Sequence, residues 1–201
     1  LRFWHVFASS SRVKVFVLYE RANLLRLRPK INGTAKQSTM QRELHMATIK
    51  NTEELLKNAE SSVDWKAREL AINALNTALE AADPKAIIKS KVKVKGNELR
   101  IGNLSFNLGE FKNVFVVGGG KACGRMAEAL EELLGDRIKE GAVNVPYASP
   151  SYHTQRVKLQ HASHPVPNIA GVKGVTRMLD LVSQAEDNDL VICLLSGGGS
   201  S

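Results

Sequence analysis

The stretch VFVVGGGKACGRMAEALEELLG, Val114 to Gly135, constrains this chain more than any other. Val114–Val117 is an unbroken apolar run, as a strand covered on both faces requires. Three glycines follow, then a helical pattern from Lys121 to Leu134 that closes at Gly135. A strand that enters a helix through glycines belongs to open α/β sheets, where ligands sit beyond the carboxyl ends of the strands. AVNVPY and VKLQHAS read as further strands, and LVICLL as a last buried one. Asn168 starts a helix with Val172, Val175, Met178, Leu179 and Val182 on its apolar side. Strands alternating with helices predict an α/β fold with a doubly wound, mostly parallel sheet.

Upstream the pattern is different. Asn51 and Thr52 cap a short helix, NTEELLKNAE, with Glu54 supporting its first turn. Asp64 starts a second helix that places Trp65, Ile72, Leu75 and Leu79 on one face and stops at Asp83-Pro84. KVKVKGNELRIG alternates around Gly96-Asn97 and reads as a β-hairpin.

The net charge of +8 is unevenly spread: nine basic and two acidic residues fall in 1–45, leaving nineteen and eighteen in 46–201. The basic character therefore belongs to the first 45 residues, and nucleic-acid or membrane partners are not expected of the body. Those residues are rich in Arg and Ser and show no clean period. They suit a transit peptide, a basic arm, or translated sequence upstream of a natural start at Met46. The third reading is preferred, because a helical pattern begins right after Met46. The expected organisation is a basic, disordered or non-native segment over 1–45 and one partial α/β domain over 46–201. The two cysteines, Cys123 and Cys193, form no CxxC pair, which fits a reducing, cytoplasmic setting; a genuine transit peptide would make it an organelle instead. The apolar run from Val13 to Tyr19 is far too short for a membrane span. The chain ends at LVICLLSGGGSS, inside a glycine loop where a covering helix is expected, so the sheet is read as incomplete at its C-terminus.

Neither familiar nucleotide loop is present. Gly118 and Gly120 match two positions of G-x-G-x-x-G, but Cys123 holds the third; Gly120-Lys121 match the Walker loop, but Phe115 and Ala122 replace its first glycine and its hydroxyl residue. The physical ingredients of an anion site remain. Glycines let backbone N–H groups come close, a helix N-terminus adds partial positive charge, and Lys121 adds a full one. A tight turn with a solvated lysine accounts for Gly118–Gly120 and Lys121 equally well. Ser196-Gly197-Gly198-Gly199-Ser200-Ser201 is a second donor-rich loop, placed directly after LVICLL rather than in a linker. HASHPVPN is a proline-stiffened turn in which His164 either meets a ligand or bonds within the turn. Cys123 is either a thiol activated by the helix N-terminus or a small packing residue. No metal cluster is visible.

Three stretches together, VFVVGGGKACGRMAEALEELLGDRIKEGAVNVPY, HASHPVPNIAGV and DLVICLLSGGGSS, resemble the N-terminal domain of the glycerate 2-kinases, whose C-terminal part is the MOFRL domain and which are often labelled hydroxypyruvate reductases. The similarity runs from near Met46 to Ser201. It implies a Rossmann-like domain facing a second domain across a cleft, and ATP- and Mg2+-dependent phosphorylation of D-glycerate to 2-phosphoglycerate. Under it Lys121 is catalytic. Gly118, Gly119 and Gly120 shape its loop. Ser196, Gly197, Gly198, Gly199, Ser200 and Ser201 cradle phosphate or substrate, and His164 contacts substrate. The second domain and Mg2+ carboxylates are not seen, so the 201 residues alone are expected to be inactive. Two alternatives stand beside this: an NAD(P)H-dependent hydroxypyruvate reductase, disfavoured by the missing third glycine and ribose-binding acid, and a non-catalytic anion-binding module. The oligomeric state is left open.

Overall fold

The structure is a computed structural model that describes residues 2–7, 14–20 and 49–197. The chain forms two compact units, Ala22–Asp83 and the pair Leu1–Arg21 with Pro84–Ser201. The expected 46–201 domain therefore spans parts of both.

In the Ala22–Asp83 unit, α1 (Thr52–Lys57) packs with α2 (Ser62–Ala81). The cap lies at Ser61, three residues before the predicted start, and its hydroxyl accepts the Asp64 N–H at 3.1 Å. Arg68 joins the two helices, bonding the Asp64 carboxylate at 3.0 Å and donating to the Leu55 carbonyl at 3.2 Å. Ile72 is buried, whereas Trp65, Leu75 and Leu79 are exposed.

In the other unit Pro84 both ends the pattern of α2 and opens α3 (Pro84–Lys91), where its fixed φ suits a first helical position. The predicted hairpin is β3 (Val92–Lys95) and β4 (Glu98–Ile101), extended by an unforeseen third strand, β5 (Leu104–Asn107). The main sheet holds β6 (Val114–Gly119), β7 (Ile138–Pro146), β8 (Val157–Ala162) and β9 (Leu190–Ser196), together with β1 (Arg2–Phe7) and β2 (Lys14–Glu20). Its order is β1-β2-β9-β6-β7-β8, with five parallel strands and β1 antiparallel at one edge. The segment expected to stand outside the fold thus supplies two strands. Lys14–Glu20 lies along β9, with Leu18 fully buried.

Helices cover both faces, as strand alternation demands. Val114 and Val116 join one core with Met126, Ala127 and Leu130 of α4 (Cys123–Leu134), and Ile88, Leu99 and Ile101 extend it. Phe115 and Val117 face the other way, meeting Met178 of α5 (Ile169–Ser183). α5 rests on the sheet through Gly174, Met178 and Leu181, so Val172, Val175, Leu179 and Val182, predicted on its inner side, are exposed. Close approach through glycine narrows the buried face to a single row. No helix among the described residues is long and apolar enough to cross a membrane.

Candidate anion-binding site

β6, β7, β8 and β9 run parallel, so their carboxyl ends line one edge of the sheet. There β6 ends on Gly118 and Gly119 and turns at Gly120, β9 ends on Ser196, and β8 leads into the turn that carries His164. Gly120 has φ +127°, a conformation closed to residues with a side chain, and a Cβ there would fall on the Ser196 hydroxyl. Gly118 lies against β9, where a Cβ would come within 2.9 Å of the Leu194 Cβ and closer still to its carbonyl. The glycines therefore let the end of β6 and the turn after it lie directly against β9. The Gly120 N–H donates to the Asn144 carbonyl at 3.2 Å, which fastens the turn to β7 as well.

Lys121 is exposed at the entry to α4, where the helix dipole leaves positive charge. Ser196 is buried, 3% exposed, and its hydroxyl meets no hydrogen-bond partner among the described residues. Gly197 is an exposed turn residue; Gly198, Gly199, Ser200 and Ser201 lie outside the described residues. His164 is exposed and precedes Pro165 through a cis peptide. Asn168 caps α5 as predicted: its side-chain oxygen accepts the Gly171 N–H at 3.1 Å and the Ser163 N–H at 3.3 Å. Strands pair about 4.8 Å apart, so the β8 turn starts about 10 Å from the glycine turn. Cys123 is a packing residue. It is fully buried, its sulfur 3.3 Å from the Leu194 carbonyl, and burial pushes its thiol up to about 12. No group of three or more His, Cys, Asp or Glu side chains able to hold a metal occurs among the described residues.

The wall beside α4 was not foreseen. The connection from β7 to β8 has no helix and runs along α4 instead. The Tyr152 ring packs against Gly124, where a Cβ would overlap its Cε2 and sit 2.5 Å from its Cζ. Glu128, 4% exposed, accepts the His153 N–H at 3.0 Å, Lys85 Nζ at 3.1 Å and Arg125 Nη1 at 3.2 Å. Burial would raise its carboxyl, but the His153 and Lys85 hydrogen bonds outweigh that and hold it below the usual range. Glu131 accepts the N–H groups of Gln155, Arg156 and Val157 at 2.7, 2.8 and 3.1 Å. Nothing in EALEELL separates these glutamates from solvated ones, since their partners are backbone groups distant in sequence.

Residues 70–201 match the family model described as a domain of unknown function, DUF4147. The chain belongs to the DUF4147 family. It is 32% identical over 135 residues to a glycerate 2-kinase of Pyrococcus horikoshii and 35% identical over 134 residues to a D-glycerate 2-kinase of Thermotoga maritima. Each match covers 67% of this chain and 29% of the relative, so the chain spans less than a third of the length of these curated relatives. A solved Pyrococcus horikoshii protein superposes on this DUF4147 chain with a TM-score of 0.59 at 30% identity, covering 67% of this chain and 30% of that one.

Proposed function

We propose that this DUF4147 chain is the phosphate-binding part of a kinase that transfers the γ-phosphoryl group of ATP to a hydroxyl of D-glycerate, giving 2-phosphoglycerate. The observation that carries the reading is the Gly118–Gly120 turn, pressed between Ser196 and the Asn144 carbonyl at the entry to α4 with Lys121 exposed beside it. The names of the relatives support the reaction class. In this reading the turn and the α4 N-terminus receive phosphate oxygens, and Lys121 offsets charge on the phosphoryl group in transit. The Ser196–Ser201 loop and His164 take the remaining oxygens of the nucleotide or the acceptor. Bound Mg2+ would screen the phosphates. It commonly reaches a protein through one or two carboxylates and keeps several waters, and we assign it no residue of this chain.

The test is to express the protein at the full length of its relatives, incubate it with ATP, Mg2+ and D-glycerate, and follow the product by phosphorus NMR. A 2-phosphoglycerate signal that disappears in folded Lys121→Ala supports the reading. A folded wild-type protein that makes none refutes it. The 201-residue chain alone is expected to bind phosphate without turnover.

A further inference from the structure

The glycine turn and the His164 turn are separated by β7, and one residue of β7 touches the supports of both. Asn144 lies opposite Gly119 on β6 and Gln160 on β8. Its carbonyl accepts the Gly120 N–H at 3.2 Å, and its side-chain amide donates at 3.0 Å to the carbonyl of Gly171 in the first turn of α5. Gly171 is also the residue whose N–H the Asn168 cap receives, and the same cap oxygen takes the Ser163 N–H next to His164. From the other side, α5 presses Gly174 onto Asn144: a Cβ at 174 would sit 2.7 Å from the Asn144 Cγ.

Asparagine is a costly occupant of this position. Its buried Oδ1 finds no hydrogen-bond partner among the described residues, which opposes folding. Reversing the amide would turn that oxygen toward the Gly171 carbonyl and lose the bond between them. A β-branched residue would suit the middle of AVNVPY better. Strand stability therefore does not account for Asn144, whereas its side-chain bond to Gly171 does; the carbonyl bond to Gly120 is one that any residue here would make.

We propose that Asn144 is a positioning residue that sets the glycine turn and the His164 turn at a fixed separation, so that both face one phosphate-bearing ligand. This rests on the reading of the two turns as an anion site. The backbone bond fixes one turn, the side-chain amide fixes the first turn of α5, and Gly174 keeps α5 close enough for that amide to reach.

The experiment is a titration of the nitrogen-15-labelled 201-residue chain with inorganic phosphate, read by amide resonances. The variants are Asn144→Leu, Gly174→Ala, which acts from the α5 side without touching either turn, and Leu181→Ala as a packing control on the same helix. Asn144→Ser, smaller than the native side chain, replaces Asn144→Leu if the leucine prevents folding. The Asn144 and Gly174 variants should move the Gly120 and Ser163 resonances together and weaken phosphate binding about tenfold, the effect of misaligning one anion-binding N–H. Leu181→Ala should lower stability and leave both resonances and the affinity in place. The proposal is overturned if a folded Asn144 or Gly174 variant keeps its phosphate affinity within about twofold of wild type, or if Gly120 moves without Ser163. Absence of saturable phosphate binding in the wild-type chain defeats the anion reading instead, and linked movement of the two resonances still shows whether Asn144 couples the turns.

Discussion

Glu128→Ala tests how the wall beside α4 is held. The native carboxylate is 5% exposed and has three donors: the His153 N–H, Lys85 and Arg125. Removing one partner of a buried ion pair typically costs about 3–5 kcal/mol. Two features reduce that here. Lys85 keeps Glu132, and the Lys85 and Arg125 side chains retain 16% and 20% of their exposure, so neither cation is fully stranded. The unpaired His153 N–H adds about 1 kcal/mol. The expected loss is therefore about 2–3 kcal/mol, measured as a lower urea midpoint at pH 7 with the slope unchanged. Glu128→Gln, which still accepts from His153, should lose less. The pH dependence follows from the lowered carboxyl. Glu128 titrates below its ordinary 4.5 in the folded protein, so its contribution is fully present above 4.5 and fades as pH falls through the depressed value. Glu128→Gln should flatten that part of the acid limb. A loss below about 1 kcal/mol for Glu128→Ala would refute the reasoning and mean that the donors find water or Glu132 at little cost.

Gly118→Ala should destabilise the chain by about 1–3 kcal/mol in thermal unfolding, because the new methyl meets a β9 backbone carbonyl that cannot turn aside. Lys121→Ala, at an exposed position, should leave stability within about 0.5 kcal/mol in the same assay, which separates a charge role from a folding role. Cys123, with its thiol pushed up to about 12, should resist a thiol reagent at pH 8 in the native chain and label fully once urea unfolds it.

The α/β class, the parallel strands and the glycine turn were legible because each rests on local signals: continuous apolar runs, punctuating glycines and the Asn168 cap. The α5 inner face was misjudged for a physical reason. Periodicity shows that Val172, Val175, Leu179 and Val182 share a side, but Gly171 and Gly174 decide which side approaches the sheet. The α2 face predicted as apolar is also exposed at Trp65, Leu75 and Leu79. The strands in 2–7 and 14–20 were hidden by the basic composition around them, although VFVLY is a fair strand pattern once β9 offers a neighbour. At the site, Lys121 and Ser196 stand out by residue type. Asn144 was detectable only as a polar residue among the apolar neighbours of AVNVPY, and its partners on Gly120 and Gly171 come from pairing and packing.

The three amides gathered by Glu131 carry a consequence for local opening. Val157 begins β8, an edge strand of the sheet, yet its N–H is held by α4 rather than by a neighbouring strand, and the N–H groups of Gln155 and Arg156 share that anchor. Their exchange with deuterated solvent should follow the breathing of the helix and not the fraying of the sheet. Glu131→Gln should speed their exchange while leaving the interior amides of β6 and β9 as slow as before. The β7–β8 crossover is in this sense a dependency of α4, and the edge of the sheet is only as closed as that helix keeps it.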